Sequence, residues 1–536
     1  MTHFDYDYII IGSGFGGSTA AHRLSEKGYQ VGVFEMGKRY DTQDFPKTNW
    51  NLKKFMWLPF LGLHGFFRMK LFKHVWVLAG TGVGGGSLVY ANTLLKPEDS
   101  VWNDPQWQHL KNWKSIMPSF YKIAQKMLGV TKNQYLGNAD KCLRKTAEAL
   151  DLGSSFYQTD VGIYFGEKDI TVNDPYFDGL GPERTGCNFC GGCMVGCRYG
   201  AKNTLDKNYL YLAGKQGTSI IPETKVTSVK PTDSSPDGHD GYEITTKPTF
   251  GFFKKKKVYR SKGIIFSGGV LGTVPLLLKS KEEGYLPRLS DKIGNYVRTN
   301  SEAIIGVRMK DKSLDYSDGI AIGSGIYVDQ DTHIEPVRYS EGSDSLSLLT
   351  TLLVGNKPGI LRILKWLGTV LAHPVNFLKM LNPFGFAKST VILLVMQPIS
   401  SYLQLKFQRL WFFPFLKRLQ TINKGEKIPV VIPQANDFAR KMAKLYGGVP
   451  LTSLTEIFLN VPTTAHILGG AIMGKNVDEG VIDAQNRVFN YQNMFVCDGS
   501  MIGANLGVNP SLSIVALTEH AMSYIESKPN AFKDCK

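Results

Sequence analysis

The chain has 536 residues, 43% hydrophobic and 20% charged, enough to bury a large core and too many for a small scaffold held by staples. Its 56 Gly and 25 Pro are too few for a low-complexity chain. Lysine and arginine outnumber aspartate and glutamate 62 to 46, a net +16, which invites nucleic acid, an anionic membrane surface or an acidic substrate as partner. No RRM, KH, zinc-finger or basic-zipper signature is present, and the run from Lys254 to Lys257 reads as a solvated hairpin, so no nucleic-acid partner is expected.

Met1 to Ile11 reads MTHFDYDYIII, without a basic n-region or small-residue cleavage site, and is expected to be a first strand rather than a signal peptide. Arg68, Lys70 and Lys73, and later Arg362 and Lys365, interrupt the apolar stretches, so a spanning helix is not expected. Seven cysteines, four of them within eleven residues, fit a reducing compartment, and cytoplasmic residence is the expectation.

The apolar run from Tyr6 to Ile11 enters Gly12-Ser13-Gly14-Phe15-Gly16-Gly17. Helical spacing follows from Ser18 to Lys27, Gly28 is a helix stop, and Gln30 to Glu35 is a second strand. The pattern predicts a βαβ unit with GxGxxG at Gly12, Gly14 and Gly17: one glycine for the tight turn, one for close approach to a pyrophosphate, one for helix packing. Glu35, 18 residues beyond Gly17, stands where an acceptor for ribose hydroxyls belongs, favouring FAD or NAD over NADP. Gly80 to Ser87 (GTGVGGGS) is too glycine-rich for a packed element and offers backbone amides to a large planar cofactor or its phosphates. Near the end, a strand from Asn493 to Cys497 leads through Asp498-Gly499-Ser500 and Asn509 to Pro510, which opens an apolar helix to about Ile525. Aimed at a flavin, its positive dipole end would stabilise the anionic reduced ring.

These motifs carry a family resemblance. GSGFGG, the segment from Gly80 to Leu94, TAHILGG around His466, and VCDGSMIGANLGVNPSLSI from Val496 to Ile514 resemble the glucose-methanol-choline (GMC) flavin oxidoreductases, and among them the bacterial cholesterol oxidases with non-covalent FAD. The likeness also covers Arg298 to Glu302 and His333 to Tyr339, and is weakest from about 345 to 427. It implies an α/β fold: a Rossmann-type FAD-binding domain assembled from 1–100, 186–300 and 455–536, with an inserted α+β substrate-binding domain from 101–185 and 301–454. The implied chemistry is oxidation of the 3β-hydroxyl of a sterol, or another bulky apolar alcohol, with hydride passing to flavin N5 and dioxygen reoxidising the flavin to give hydrogen peroxide.

A base must take the hydroxyl proton as the hydride leaves, and histidine has a suitable pKa. By resemblance that base is His466, with Asn509 as the second active-site residue. Glu335 is the candidate carboxylate for a following Δ5 to Δ4 isomerisation, and Glu302 a weaker one. The implied FAD contacts are Gly12, Gly14, Gly17, Glu35, Gly80, Gly82, Gly86, Ser87, Asn92, Val226, Asp498 and Gly499.

Cys187, Cys190, Cys193 and Cys197 follow C-x2-C-x2-C-x3-C, the spacing of bacterial ferredoxin clusters, although Arg198 stands where those have proline. An iron–sulfur cluster, tetrahedral zinc and a metal-free thiol loop all remain open. A cluster would make the protein a dehydrogenase with a quinone or protein acceptor. A non-catalytic flavin- and lipid-binding protein is the alternative outside enzymes, and the presence of His466 argues against it. Two basic, aromatic-rich stretches, Lys53 to His74 and Lys357 to Lys427, suit peripheral contact with an anionic membrane, as rim and lid of the substrate entrance.

Overall fold

The computed structural model describes residues 3–232, 234–251, 255–357, 359–410 and 413–529. Lys254 of the lysine run and Cys535 lie outside the described residues; Tyr242–Pro248 and Lys257–Phe266, which flank that run, pair antiparallel.

One sheet gathers remote segments. Its order is Ser219–Ile221, β2 (Val31–Phe34), β1 (Tyr6–Ile11), Lys257–Phe266, Tyr242–Pro248 and Thr224–Pro231, with Met494–Val496 also pairing Lys257–Phe266. β1 lies between two parallel neighbours, in register Ile10↔Val33 and Ile10↔Ile265. That central position explains its uninterrupted apolar run. Gly12 turns the chain out of β1 at φ +105, and a Cβ there would lie 2.3 Å from the Ser267 carbonyl oxygen, so only glycine fits. The helix α1 (Phe15–Glu26) follows, and Gly28 in the left-handed region ends the turn beyond it. A Cβ on Gly17 would meet the Gly12 oxygen at 2.1 Å, which is the close helix packing expected of the third glycine.

The second sheet is antiparallel, in the order Thr350–Leu352, Val449–Ser453, Ala303–Arg308, Thr390–Met396, His333–Val337, Ser324–Tyr327 and Tyr157–Gln158. Leu143 and Ala147 of Asn138–Glu148 and Phe438 and Met442 of Pro433–Leu445 pack on Ile305, Val307, Val391 and Leu393. Under this layer lies a fully buried ion pair, Asp140 Oδ2 with Arg338 Nη2 at 2.6 Å.

Two short helices, α2 (Gly359–Ala372) and α3 (Pro374–Leu381), lie over Thr350–Leu352. The last helix, α4 (Ser511–Ser523), starts after Pro510 and packs on α1. No helix among the described residues is long and apolar enough to cross a membrane.

Candidate active site

A cavity of about 680 Å³ lies between the two sheets. Gly12, Gly14, Glu35, Gly80, Gly86, Val226, Asp498 and Gly499 line one part of it. Tyr339, Phe386, Ile392, Leu394 and Leu451 make an apolar wall, and His466 and Asn509 face the same space.

The glycine-lined part fits FAD. A Cβ placed on Gly14 would have no atom within 4 Å, so the turn holds open space at the start of α1, where a pyrophosphate meets free amides. The buried, cavity-lining Thr81 hydroxyl has no partner among the described residues. Glu35 accepts from the Ser13 amide at 3.1 Å, the Ser13 hydroxyl at 2.8 Å and the Gly37 amide at 2.8 Å. Burial still holds its carboxyl above the usual range against these donors, so ribose hydroxyls donating to it would stabilise the carboxylate further. Asp498 accepts from Gly269 N at 2.8 Å and Thr273 Oγ1 at 2.5 Å. Asn509, Pro510 and Ser511 also face the cavity, so α4 aims its N-terminus at it.

His466 is placed by two segments. Thr463–Thr464 pairs with Trp76–Val77, and Arg298 bridges Leu468. Asn300 and Ser301 sit at positive φ. Asn300 accepts from the Gly507 amide at 2.8 Å and donates to the Val508 carbonyl at 3.0 Å, which locks this turn. The turn delivers Glu302, fully buried, to His466: Oε1 lies 2.5 Å from Nδ1, and Oε2 accepts from the Ala465 amide at 2.7 Å. Burial disfavours imidazolium, but Glu302, and after it Glu335, outweigh that and leave the His466 pKa raised.

Glu335 is buried in His333–Val337, and its Oε2 accepts from Asn509 Nδ2 at 3.2 Å. Its carboxyl is pushed up to about 7, first by desolvation and further by Glu302, with Asn509 and His466 opposing. Among the described residues Glu335 Oε1 and Asn509 Oδ1 have no partner, as expected of groups awaiting a ligand or ordered water. His466, Glu302, Glu335 and Asn509 thus form one coupled set.

The family models match in order along the chain: an NAD(P)-binding Rossmann-like domain over 10–49 and GMC oxidoreductase over 180–283 and 425–518. The chain is 51% identical over 533 residues to a cholesterol oxidase of Acinetobacter baumannii, covering 98% of this chain and 96% of that protein. The chain belongs to the GMC oxidoreductase family. A cholesterol oxidase of Mycobacterium tuberculosis (strain ATCC 25618 / H37Rv) is 42% identical over 541 residues, covering 98% of this chain and 92% of its own. In fold, this GMC oxidoreductase is similar to the crystal structure of pyridoxine 4-oxidase from Mesorbium loti, with a TM-score of 0.63 at 14% identity over 96% of this chain and 98% of that one. It is an FAD-dependent oxidoreductase acting on CH–OH groups.

Four of the expected FAD contacts do not line the cavity of this GMC oxidoreductase. Gly17 packs on Gly12, Gly82 on Leu88 and Lys38, Ser87 donates to Gly84 O at 2.7 Å, and the buried Asn92 lies beside the Cys193 thiol. Glu335 stands behind Asn509 rather than on the wall itself.

The iron–sulfur alternative finds no support in the structure. Among the described residues no group of three or more His, Cys, Asp or Glu is placed to hold a metal. Gly191 and Gly196, at positive φ, turn the loop so that Cys187 and Cys193 enter an apolar cluster with Val161, Ile163 and Ile320, while Cys190 faces solvent. Lys202, buried beneath this loop, donates to Cys193 O at 2.8 Å and Leu88 O at 3.1 Å.

Sequence reasoning placed Glu302 only as a second isomerisation candidate and missed its pairing with His466, 164 residues away. The apolar wall was missed too, because it comes from strands and a short helix that become neighbours only in the folded sheet.

Proposed function

We propose that this protein oxidises the 3β-hydroxyl of cholesterol or a related sterol to the ketone, with dioxygen as final acceptor and hydrogen peroxide as product. The observation that carries the reading is the His466–Glu302 pair opening onto an apolar cavity, in a chain whose curated relatives at 51% and 42% identity are cholesterol oxidases. FAD, when bound, supplies the two-electron acceptor for the hydride. Its contacts would be the Gly12 and Gly14 turn, Glu35, Gly80, Gly86, Val226, Asp498 and Gly499.

The chain's own part is proton handling and orientation. With Glu302 on the Nδ1 side, the proton of neutral His466 sits on Nδ1 and Nε2 presents a lone pair. Nε2 takes the hydroxyl proton as the carbon–hydrogen bond breaks, and Glu302 stabilises the imidazolium that forms. Asn509 orients the alcohol oxygen through its free Oδ1 or through Nδ2. The apolar wall binds the fused rings and excludes water.

A second step, Δ5 to Δ4 isomerisation, has Glu335 as its candidate acid–base: the carboxyl is buried one hydrogen bond behind the cavity-lining Asn509, with a pKa near 7 and, among the described residues, an oxygen without a partner, so proton transfer between two steroid carbons requires Asn509 to give way. The division into discontinuous FAD and substrate domains, peripheral contact with anionic membrane and cytoplasmic residence belong to the same proposal.

The test is the flavin absorption of purified protein, recorded anaerobically before and after cholesterol. Bleaching that reverses with air and yields peroxide supports the reading. Unchanged flavin bands with every sterol tried would sink it.

A further inference from the structure

The helices α2 and α3 turn their apolar side chains the wrong way for a core element. Leu361, Leu364, Val375 and Leu381 are exposed, Leu371 at 80% and Leu378 at 66%. Surface apolar residues are ordinary when scattered, but so many on two adjoining helices form a patch of the kind that marks an interaction site. The inner side of the pair is already satisfied. Val370, Phe377 and Met380 pack with Leu352, Phe386 and Leu451, and Trp366 donates to Thr351 Oγ1 at 2.8 Å and stacks edge-on against Phe458.

Phe386 and Leu451 line the cavity. The two helices are therefore a single layer with the substrate cavity behind them and bare leucines in front.

Charge points to the occupant. From 345 to 425 the chain has ten Lys or Arg and no Asp or Glu, and Lys357, Lys365 and Lys379 are exposed at the patch. A surface that is both apolar and free of negative charge matches an anionic bilayer better than a second copy of the same basic chain, which would bring like charges together. The 14 residues of α2 reach about 21 Å at 1.5 Å per residue, short of the roughly 30 Å hydrocarbon core. The helix can lie in the interface and cannot span it.

We propose that α2 and α3 form a lipid-docking cap that settles into the headgroup region of an anionic bilayer, placing the cavity wall directly behind the point where an apolar substrate leaves the lipid. The purpose of the cap rests on the sterol reading, while binding itself does not depend on turnover.

The test uses the full-length flavoprotein, flotation with sterol-free vesicles of phosphatidylcholine alone or mixed with phosphatidylglycerol, and the triple variant L364E/L371E/L378E. All three positions are exposed, so the fold is expected to persist, and flavin content and turnover of cyclodextrin-delivered cholesterol within twofold of wild type verify that. Wild type is expected to float with the anionic vesicles. The triple variant is expected to lose at least tenfold in bound fraction and in turnover of vesicle-borne cholesterol. Equal flotation of variant and wild type, or flotation of neither, overturns the cap. A wild-type dimer in sedimentation velocity that the variant dissolves, with no difference on vesicles, overturns it in favour of a second copy. Flotation without turnover of any sterol leaves the cap standing and removes the substrate reading alone.

Discussion

Asn509 Nδ2 donates to Oε2 of Glu335 at 3.2 Å across 174 residues of sequence, and among the described residues no other hydrogen bond satisfies the buried carboxyl. The folded-state pKa of Glu335 is about 7, against an ordinary value of 4.5. A carboxyl raised in this way favours folding while protonated. Its contribution is full below about pH 4.5 and is lost as pH rises through about 7, a span on the order of 3 kcal/mol. Urea unfolding at pH 5 and pH 8 should therefore show a loss that is smaller in Glu335→Gln than in wild type, the remainder coming from other raised carboxyls such as Glu456. Parallel pH dependence in the two proteins would contradict this assignment.

Glu302→Gln should slow flavin reduction by sterol on the order of 10²-fold, because the carboxylate no longer fixes the tautomer or stabilises imidazolium. Glu302 raises the His466 pKa, so the acidic limb of the rate profile should move to lower pH in the variant even as the rate falls. Stopped-flow reduction across pH reads both effects, and Glu302→Asp should restore part of the rate. An unmoved limb would mean that Glu302 does not act through His466.

Two glycines only two residues apart should fail differently. Gly12→Ala collides with the Ser267 backbone at positive φ and should prevent folding or destabilise by several kcal/mol. Gly14→Ala meets nothing within 4 Å, so apoprotein stability should stay within about 1 kcal/mol while FAD affinity drops. Thermal unfolding of apoprotein together with flavin titration separates them. Undiminished affinity in Gly14→Ala would place the pyrophosphate elsewhere.

Asp140→Asn leaves Arg338 charged and buried without its partner, at an expected cost of about 3–5 kcal/mol. Replacing both residues, as Asp140→Asn with Arg338→Met, should recover most of it, as read by denaturant midpoints. A single variant as stable as wild type would show that water reaches the pair.

The nucleotide-binding half was legible because its signals are local: a run of strand, turn and helix with three glycines and one acid, all within the first 35 residues. The ending from Asp498 to the start of α4 was legible for the same reason. The His466–Glu302 pair was not, since it depends on two residues at positive φ, Asn300 and Ser301, whose geometry is set by Gly507 and Val508 far along the chain. The cysteine spacing could not decide between a metal and a packed thiol loop, because it does not reveal that Cys187 and Cys193 enter an apolar cluster, with Cys197 packed against it, while Cys190 is exposed. The basic, aromatic-rich stretch after 357 suits a membrane-facing segment by composition, but which of its side chains face outward follows only from how α2 and α3 pack.

The central strand Lys257–Phe266 borders β1 on one side, and on the other its last residues wait for Met494–Val496. During synthesis the ribosome must add 230 residues between Phe266 and Val496, which takes roughly ten to fifty seconds at ordinary elongation rates. Throughout that interval the nascent sheet exposes an open, apolar edge at Ile264 to Phe266, a template for any passing strand. Chaperone dependence in the cell, and inclusion-body formation under fast overexpression, should therefore track the delay before the final strand arrives rather than the stability of the finished enzyme.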